Sequence, residues 1–476
     1  MIVKRFYDEK LAQASYMIGC PAAGEAIVID PSRNIDQYLE AAKKERLKIT
    51  AVTETHIHAD FLSGIRELSN RTGARMYLSD EGDIDWKYGF SNEPLVTLVR
   101  DGDTIRVGPA RLDVMATPGH TPEHIAFILT DEATSEVPLG AFTGDFVFVG
   151  DVGRPDLLER AANIKGTMVI GAKQQYESVQ KLKPFKDGMI IWPGHGSGSA
   201  CGKSLGGVPV SSLGYERVSN WALKSTDSDA FVDEILKGQP EPPTYFAMMK
   251  KLNKEGPAVL GEVAKPARQS AESLTDVLSG ENTVVDIRDS GKVMAGLLPG
   301  SVHIAMAKGF TNWAGWLVPY DKPIYFLAES EQQVSQAVRD LVTIGLDDVR
   351  GWYGPEEIQS YASNNGELMT VEQTRASEMA DMAASGNTVI LDVRSATERE
   401  EGFVPGSLHI PLGYLESRLD ELPKGKRVIV HCAGGVRSCT AASILKNNGF
   451  QDVCNLTGGF DEYVEAGLRV QEPALA

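Results

Sequence analysis

Residues 55–61 read Thr-His-Ile-His-Ala-Asp-Phe. Two imidazoles and a carboxylate at alternating positions can present nitrogen and oxygen lone pairs to one point in space, which is the donor chemistry of a metal site. The position after Asp60 is Phe61, whose ring has no lone pair to give. More donors follow in order: His120 in Ala116-Thr117-Pro118-Gly119-His120-Thr121, Asp145 in Phe142-Thr143-Gly144-Asp145, and His195 in Trp192-Pro193-Gly194-His195-Gly196. A different chemistry lies far downstream, in His431-Cys432-Ala433-Gly434-Gly435-Val436-Arg437-Ser438. Small residues after a cysteine let backbone N–H groups turn inward around the sulfur. Together with Arg437 and a helix expected to start at Ser438, they favour a thiolate and any anionic sulfur species bound to it. Cys432 and Arg437 are therefore candidate catalytic residues, and Gly434, Gly435 and Ser438 candidate substrate-binding ones.

These groups need elements to hold them. Gly24 to Asp30 is an apolar strand ending in an acid, and strands expected over Arg111–Met115 and Met189–Trp192 lead to His120 and His195. Each places a potential ligand just past a strand end, where the loops of a sheet converge. The second half repeats itself. Asp286-Ile287-Arg288 recurs as Asp392-Val393-Arg394, and Pro299-Gly300-Ser301-Val302-His303-Ile304 as Pro405-Gly406-Ser407-Leu408-His409-Ile410, with the same Asp-to-His separation. Strands alternating with helical stretches at that length imply two α/β domains. Where the last copy has Cys432 the middle copy has Leu327, followed by Ala328-Glu329-Ser330-Glu331. It has no nucleophile, no glycine pair and no loop arginine. The turn-rich Gly238-Gln239-Pro240-Glu241-Pro242-Pro243 marks the exit from the first domain. The expected division is 1–265, 266–367 and 368–476.

Composition bounds the partners. Lys plus Arg is 47 and Asp plus Glu 65, a net charge of −18, which argues against nucleic acid or an anionic membrane. No apolar run approaches the ~20 residues of a membrane span. The five cysteines are scattered, with no Cys-x-x-Cys pair, and read as reduced thiols of a cytoplasmic protein. Cys20, Cys439 and Cys454 are expected in the core. His303 and His409 recur in a turn motif and read as structural, and His124 has no motif to support a role.

The metal loops resemble the persulfide dioxygenase branch of the metallo-β-lactamase superfamily. The Cys432 loop, six residues from Cys432 to Arg437, resembles the rhodanese sulfurtransferases, with Asp392-Val393-Arg394, Glu398, Gly402 and Pro405-Gly406 at the upstream signatures. The whole chain is similar to multidomain enzymes that join such a dioxygenase to a degenerate and then an active rhodanese. The implied fold class is α/β, an αββα metallo-β-lactamase sandwich followed by two rhodanese-like α/β domains. The resemblance implies one Fe(II) per chain on His56, His120 and Asp145, with His58, Asp60 and His195 behind those ligands. In the superfamily's two-metal hydrolases a histidine follows the aspartate, so Phe61 points to one-metal chemistry. Arg154, in Asp151-Val152-Gly153-Arg154-Pro155-Asp156, either fixes a substrate carboxylate or braces its loop through Asp156. The match departs from the mitochondrial members at Phe61 and at Cys201. Cys201, in a small-residue loop after His195, is expected to accept or relay sulfane sulfur.

The function so implied is oxidation of a low-molecular-weight thiol persulfide by O2 to thiol and sulfite, with sulfur transfer through Cys432 giving thiosulfate, in sulfide detoxification by a homo-oligomer (dimer or tetramer). Two rivals stand beside it: a glyoxalase II-like thioester hydrolase fused to a sulfurtransferase, and a non-catalytic sulfur-binding scaffold. The residues by themselves establish a mononuclear metal site and a reactive thiol.

Overall fold

A computed structural model describes residues 1–162, 166–384 and 386–472. The chain divides into two compact units, Met1–Val263 with Val342–Gly345, and Ala264–Leu341 with Leu346–Ala476.

The first unit holds two six-stranded sheets. One is β1 (Ile2–Asp8), β2 (Gln13–Cys20), β3 (Glu25–Ile29), β4 (Lys48–Thr53), β5 (Arg75–Ser79) and β6 (Val96–Val99), side by side in chain order. The other is β7 (Thr104–Val107), β8 (Ala110–Ala116), β9 (Ile125–Asp131), β10 (Gly140–Gly144), β11 (Ile190–Pro193) and the short β12 (Ser211–Ser212), again in order. Their alternating apolar residues face one another. Tyr16, Ile18, Ile27 and Ile29 of the first sheet pack with Leu112, Val114, Phe127, Leu129 and Phe142 of the second. The outer faces are covered by helices. Tyr38 and Ala42 of helix Asp36–Glu45 and Leu68 of helix Ile65–Thr72 pack under the first sheet. Ala172 and Val179 of helix Thr167–Gln180, with Phe231 and Ile235 of helix Ser228–Leu236, pack under the second. This is the expected αββα sandwich. Each large apolar side chain buried between its layers contributes roughly 1.5–3 kcal/mol relative to exposure.

The second unit carries two five-stranded sheets. The first comprises β13 (Ala267–Arg268), β14 (Thr283–Asp286), β15 (Ser301–His303), β16 (Ile324–Leu327) and β17 (Val349–Tyr353), in the order β13-β17-β16-β14-β15. The second comprises β18 (Glu372–Thr374), β19 (Thr388–Asp392), β20 (Leu408–His409), β21 (Arg427–His431) and β22 (Val453–Leu456), in the order β18-β22-β21-β19-β20. Both orders are the same permutation, and all strand pairs are parallel. The repeated residues explain the common architecture. Asp286 pairs across the sheet with His303, as Asp392 does with His409. Arg288 donates to both carboxylate oxygens of Asp286 and to the Gly296 carbonyl, and Arg394 does the same to Asp392 and Gly402. A buried charge pair whose remaining donor meets a carbonyl is fully satisfied, so the Asp-x-Arg motif braces each sheet. Among the described residues no helix is long and apolar enough to cross a membrane.

Candidate functional site

The loops after β4, β8, β10 and β11 meet at one end of the sandwich. His56 Nε2 and His120 Nε2 lie 4.0 and 3.4 Å from Asp145 Oδ2. All three residues are buried, and one donor atom from each falls within a 4.8 Å cluster. Neither oxygen of Asp145 has a hydrogen-bond partner. An unpaired buried carboxylate is too costly to stand alone, so the donor set fits a cation.

The surrounding residues orient these ligands. His120 Nδ1 donates to the Arg154 carbonyl at 2.9 Å, which leaves Nε2 as the lone-pair nitrogen. Thr55 Oγ1 lies 2.9 Å from His56 Nδ1, and its backbone N–H donates to Asp30 Oδ1 at 2.7 Å. Glu123 accepts from the Ile57 N–H at 2.7 Å, which pins the histidine loop. His58 turns its Nε2 to Asp30 at 3.1 Å. Burial opposes its charge, but Asp30 outweighs burial and raises its pKa to about 9. With its Nε2 on Asp30, His58 is not among the three residues whose donor atoms cluster.

His124 is the residue that motif reading misses. Its Nε2 accepts from the Asp145 N–H at 3.1 Å, its Nδ1 lies 2.7 Å from Thr117 Oγ1, and its ring stacks on His56 at 4.9 Å. Burial, then His120, push its pKa down to about 3, which keeps Nε2 an acceptor. Its sequence signal is only its place four residues after His120.

Arg154 adopts one of its two expected roles. It is fully buried, donates to both oxygens of Asp156 at 2.7 and 2.8 Å, and places Nη1 on the Ala200 and Pro240 carbonyls. Those four bonds brace the loop through Asp156, the second of the two roles expected for Arg154. Asp60, His195 and Cys201 form a second cluster of donor atoms within 4.8 Å of one another. Cys201 is 1 % exposed, and burial followed by the Asp60 and Asp145 charges pushes its thiol well above its usual range. Phe61 is fully buried with its ring 4.3 Å from that of His58.

In the second unit β21 runs into Cys432, and the Gly435 N–H donates to Cys432 Sγ at 3.1 Å. The following helix spans Val436–Asn447, so it begins two residues before the expected Ser438. The reason is Gly435, whose φ of 90° caps it there. Ser438 Oγ lies 3.6 Å from Sγ and donates to the Gly435 carbonyl at 3.0 Å. Arg437, in the first turn, donates to Glu398 at 2.7 and 2.5 Å. Burial opposes ionisation of Glu398, but Arg437 outweighs it and holds the carboxyl at about 2. Glu398 thus fixes the loop arginine, a role its sequence position did not reveal. The N–H groups of Phe460 and Asp461 donate to the Cys432 and Ala433 carbonyls at 2.8 and 3.1 Å and clamp the loop from behind.

The metallo-beta-lactamase superfamily matches residues 9–195 and the rhodanese-like domain family residues 375–466. A solved metallo-beta-lactamase from Staphylococcus aureus is 42 % identical, covers 75 % of this chain and 99 % of its own, and superposes with a TM-score of 0.67. The chain belongs to the metallo-β-lactamase superfamily. It carries a rhodanese-like domain at its C-terminal end, where a sulfurtransferase of Allochromatium vinosum is 30 % identical over 92 residues, 19 % of this chain and 86 % of that one. The metallo-β-lactamase part is similar to the mitochondrial persulfide dioxygenase of Bos taurus, 27 % identical over 225 residues, 46 % of this chain and 75 % of that one.

Proposed function

We propose that this chain oxidises low-molecular-weight thiol persulfides with O2 and transfers sulfane sulfur through Cys432. The observation that carries the first activity is the buried triad of His56, His120 and Asp145, with both Asp145 oxygens unpartnered, in a domain similar to persulfide dioxygenases. One Fe(II) held there by two imidazoles and a carboxylate would supply a redox-active centre with open positions. The chain's own residues set the geometry. The Arg154 carbonyl and Thr55 aim the two imidazoles, His124 aims Asp145 through its backbone N–H, and burial of the triad keeps bulk water away. In the reaction the persulfide S–S bond breaks. The terminal sulfur leaves as sulfite with oxygen from O2 and water, the inner sulfur leaves as thiol, and O2 is the oxidant.

In the rhodanese domain the Cys432 thiolate attacks a sulfane sulfur and the donor's remaining half departs with the bonding electrons. The Gly435 N–H and Arg437 stabilise the anionic Cys432 persulfide. Attack by sulfite on the outer sulfur releases Cys432 and forms thiosulfate, without net oxidation. Sulfite made in the first domain and consumed in the second would join the two activities in sulfide detoxification.

Elemental analysis with O2-uptake and sulfite assays on the iron-loaded full chain tests the reading. The expected result is about one tightly bound iron and one O2 consumed per sulfite formed. Zinc as the retained metal, thioester cleavage and no persulfide-dependent O2 uptake would put the hydrolase in its place.

A further inference from the structure

Past His56 the metal loop runs on as an irregular, buried stretch, and its backbone is held from far along the chain. The Asn253 side chain, 1 % exposed on helix Phe246–Glu255, donates to the His58 and Phe61 carbonyls, each at 2.8 Å, and accepts from the Ser63 N–H at 2.9 Å. The Tyr245 hydroxyl, just before that helix, donates to the Asp60 carbonyl at 3.2 Å. The Leu62 N–H donates to the Thr343 carbonyl at 2.6 Å. Five main-chain groups between His58 and Ser63 thus end on residues 245, 253 and 343. Buried backbone outside a helix or sheet must find such partners, and whatever supplies them decides the path it takes.

The last of these partners comes from an unexpected place. Val342–Gly345 belongs by its contacts to the first compact unit, although the residues on either side of it belong to the second. Gly345 has a φ of 76°. A Cβ on it would stand 3.1 Å from Leu62 Cδ2, with Leu252 and Met249 of helix Phe246–Glu255 at 3.4 and 3.6 Å. Any side chain there would be strained and pressed onto Leu62. Both clamping segments lie outside the two family matches. The loop they hold leads from the ligand His56 to Asp60, whose carboxylate is 3.3 Å from His195 Nε2, itself 3.3 Å from Asp145. A shift of the loop would therefore reach the triad from both sides.

We propose that Asn253 and the Thr343–Gly345 segment are positioning residues for the metal centre. Together they fix the path of residues 58–63, and through it the placing of His56 and Asp145. The middle repeat, which has no nucleophile, thereby contributes to the metal domain the segment that closes its loop. This role needs the triad to hold a metal, whichever reaction that metal serves.

The test uses cobalt(II), whose visible d–d absorption reports ligand geometry, titrated into the metal-free full chain. Affinity is read by competition with a calibrated chelator. The wild type should take up about one equivalent with a d–d band. Asn253→Ala and Gly345→Ala should each weaken cobalt about tenfold and change the position or intensity of the band. Phe231→Leu, a core change under the other sheet that lowers the thermal midpoint without touching the loop, should keep wild-type affinity and band. If Asn253→Ala does not fold, Gly345→Ala decides alone. Wild-type affinity and an unchanged band in either folded variant would overturn the positioning role. So would an equal loss in Phe231→Leu. Failure of the persulfide reading shows separately, as absent O2 uptake in an iron-loaded wild type whose cobalt site responds as expected.

Discussion

His124 touches Asp145 only through its backbone N–H, yet that contact fixes where the carboxylate stands. Residues behind metal ligands typically change metal affinity 10–100-fold when removed. His124→Ala should therefore lower iron affinity by about that factor with the fold intact. Competition with a calibrated chelator measures it, and wild-type affinity would exclude the positioning role. Gly153 is a matching steric case. A Cβ there would collide with the Asp145 carbonyl and crowd His120 Cβ. Gly153→Ala should reduce iron retention and persulfide-dependent O2 uptake together. An alanine variant with full iron content would show that the loop gives way.

At the scale of elements, the Cys432 loop is held between a strand, a helix and a glycine turn. Gly459 has a φ of 62°, and a Cβ on it would run into the Ala433 and Cys432 carbonyls. Gly459→Ala should cost sulfur transfer at least ~10-fold while leaving the metal centre unchanged. Sulfur transfer from thiosulfate to cyanide at saturating donor measures it. The Glu398–Arg437 pair ties the same loop to the helix Ala396–Glu400 and has a pH signature. The carboxyl sits at about 2 in the folded chain against an ordinary 4.5. A depressed folded pKa contributes stability that is fully present above the ordinary value and is lost as pH falls from 4.5 through about 2. The difference in urea midpoint between wild type and Glu398→Gln should thus be largest near neutrality and shrink across that acid window. A difference that is flat with pH would remove the pair from the account.

For the whole molecule, the metal donors belong to one compact unit and Cys432 to the other. Cys432→Ser should abolish sulfur transfer, a loss of at least ~10³-fold, because a hydroxyl cannot store sulfane sulfur. Persulfide-dependent O2 uptake should stay within about twofold of wild type. Loss of both activities in a folded, iron-loaded variant would show that the two sites do not act separately.

The sequence by itself determined the sandwich, the repeat in the second half, and which donors and which thiol could do chemistry, since these rest on donor types at strand ends and on a recurrent pattern. The same Asp-x-Arg brace, built twice, is why the repeat was legible at all. Tertiary structure alone decided how the donors are shared. Asp145 turning one oxygen each way, Cys201 arriving beside Asp60 and His195, His124 reaching back to the Asp145 backbone, and Arg154 reaching the Ala200 and Pro240 carbonyls are contacts between distant parts of the chain. Spacing along the chain carries no record of them. The direction a side chain takes once buried follows from which neighbours remain to satisfy its polar atoms, and only the assembled sandwich supplies those neighbours.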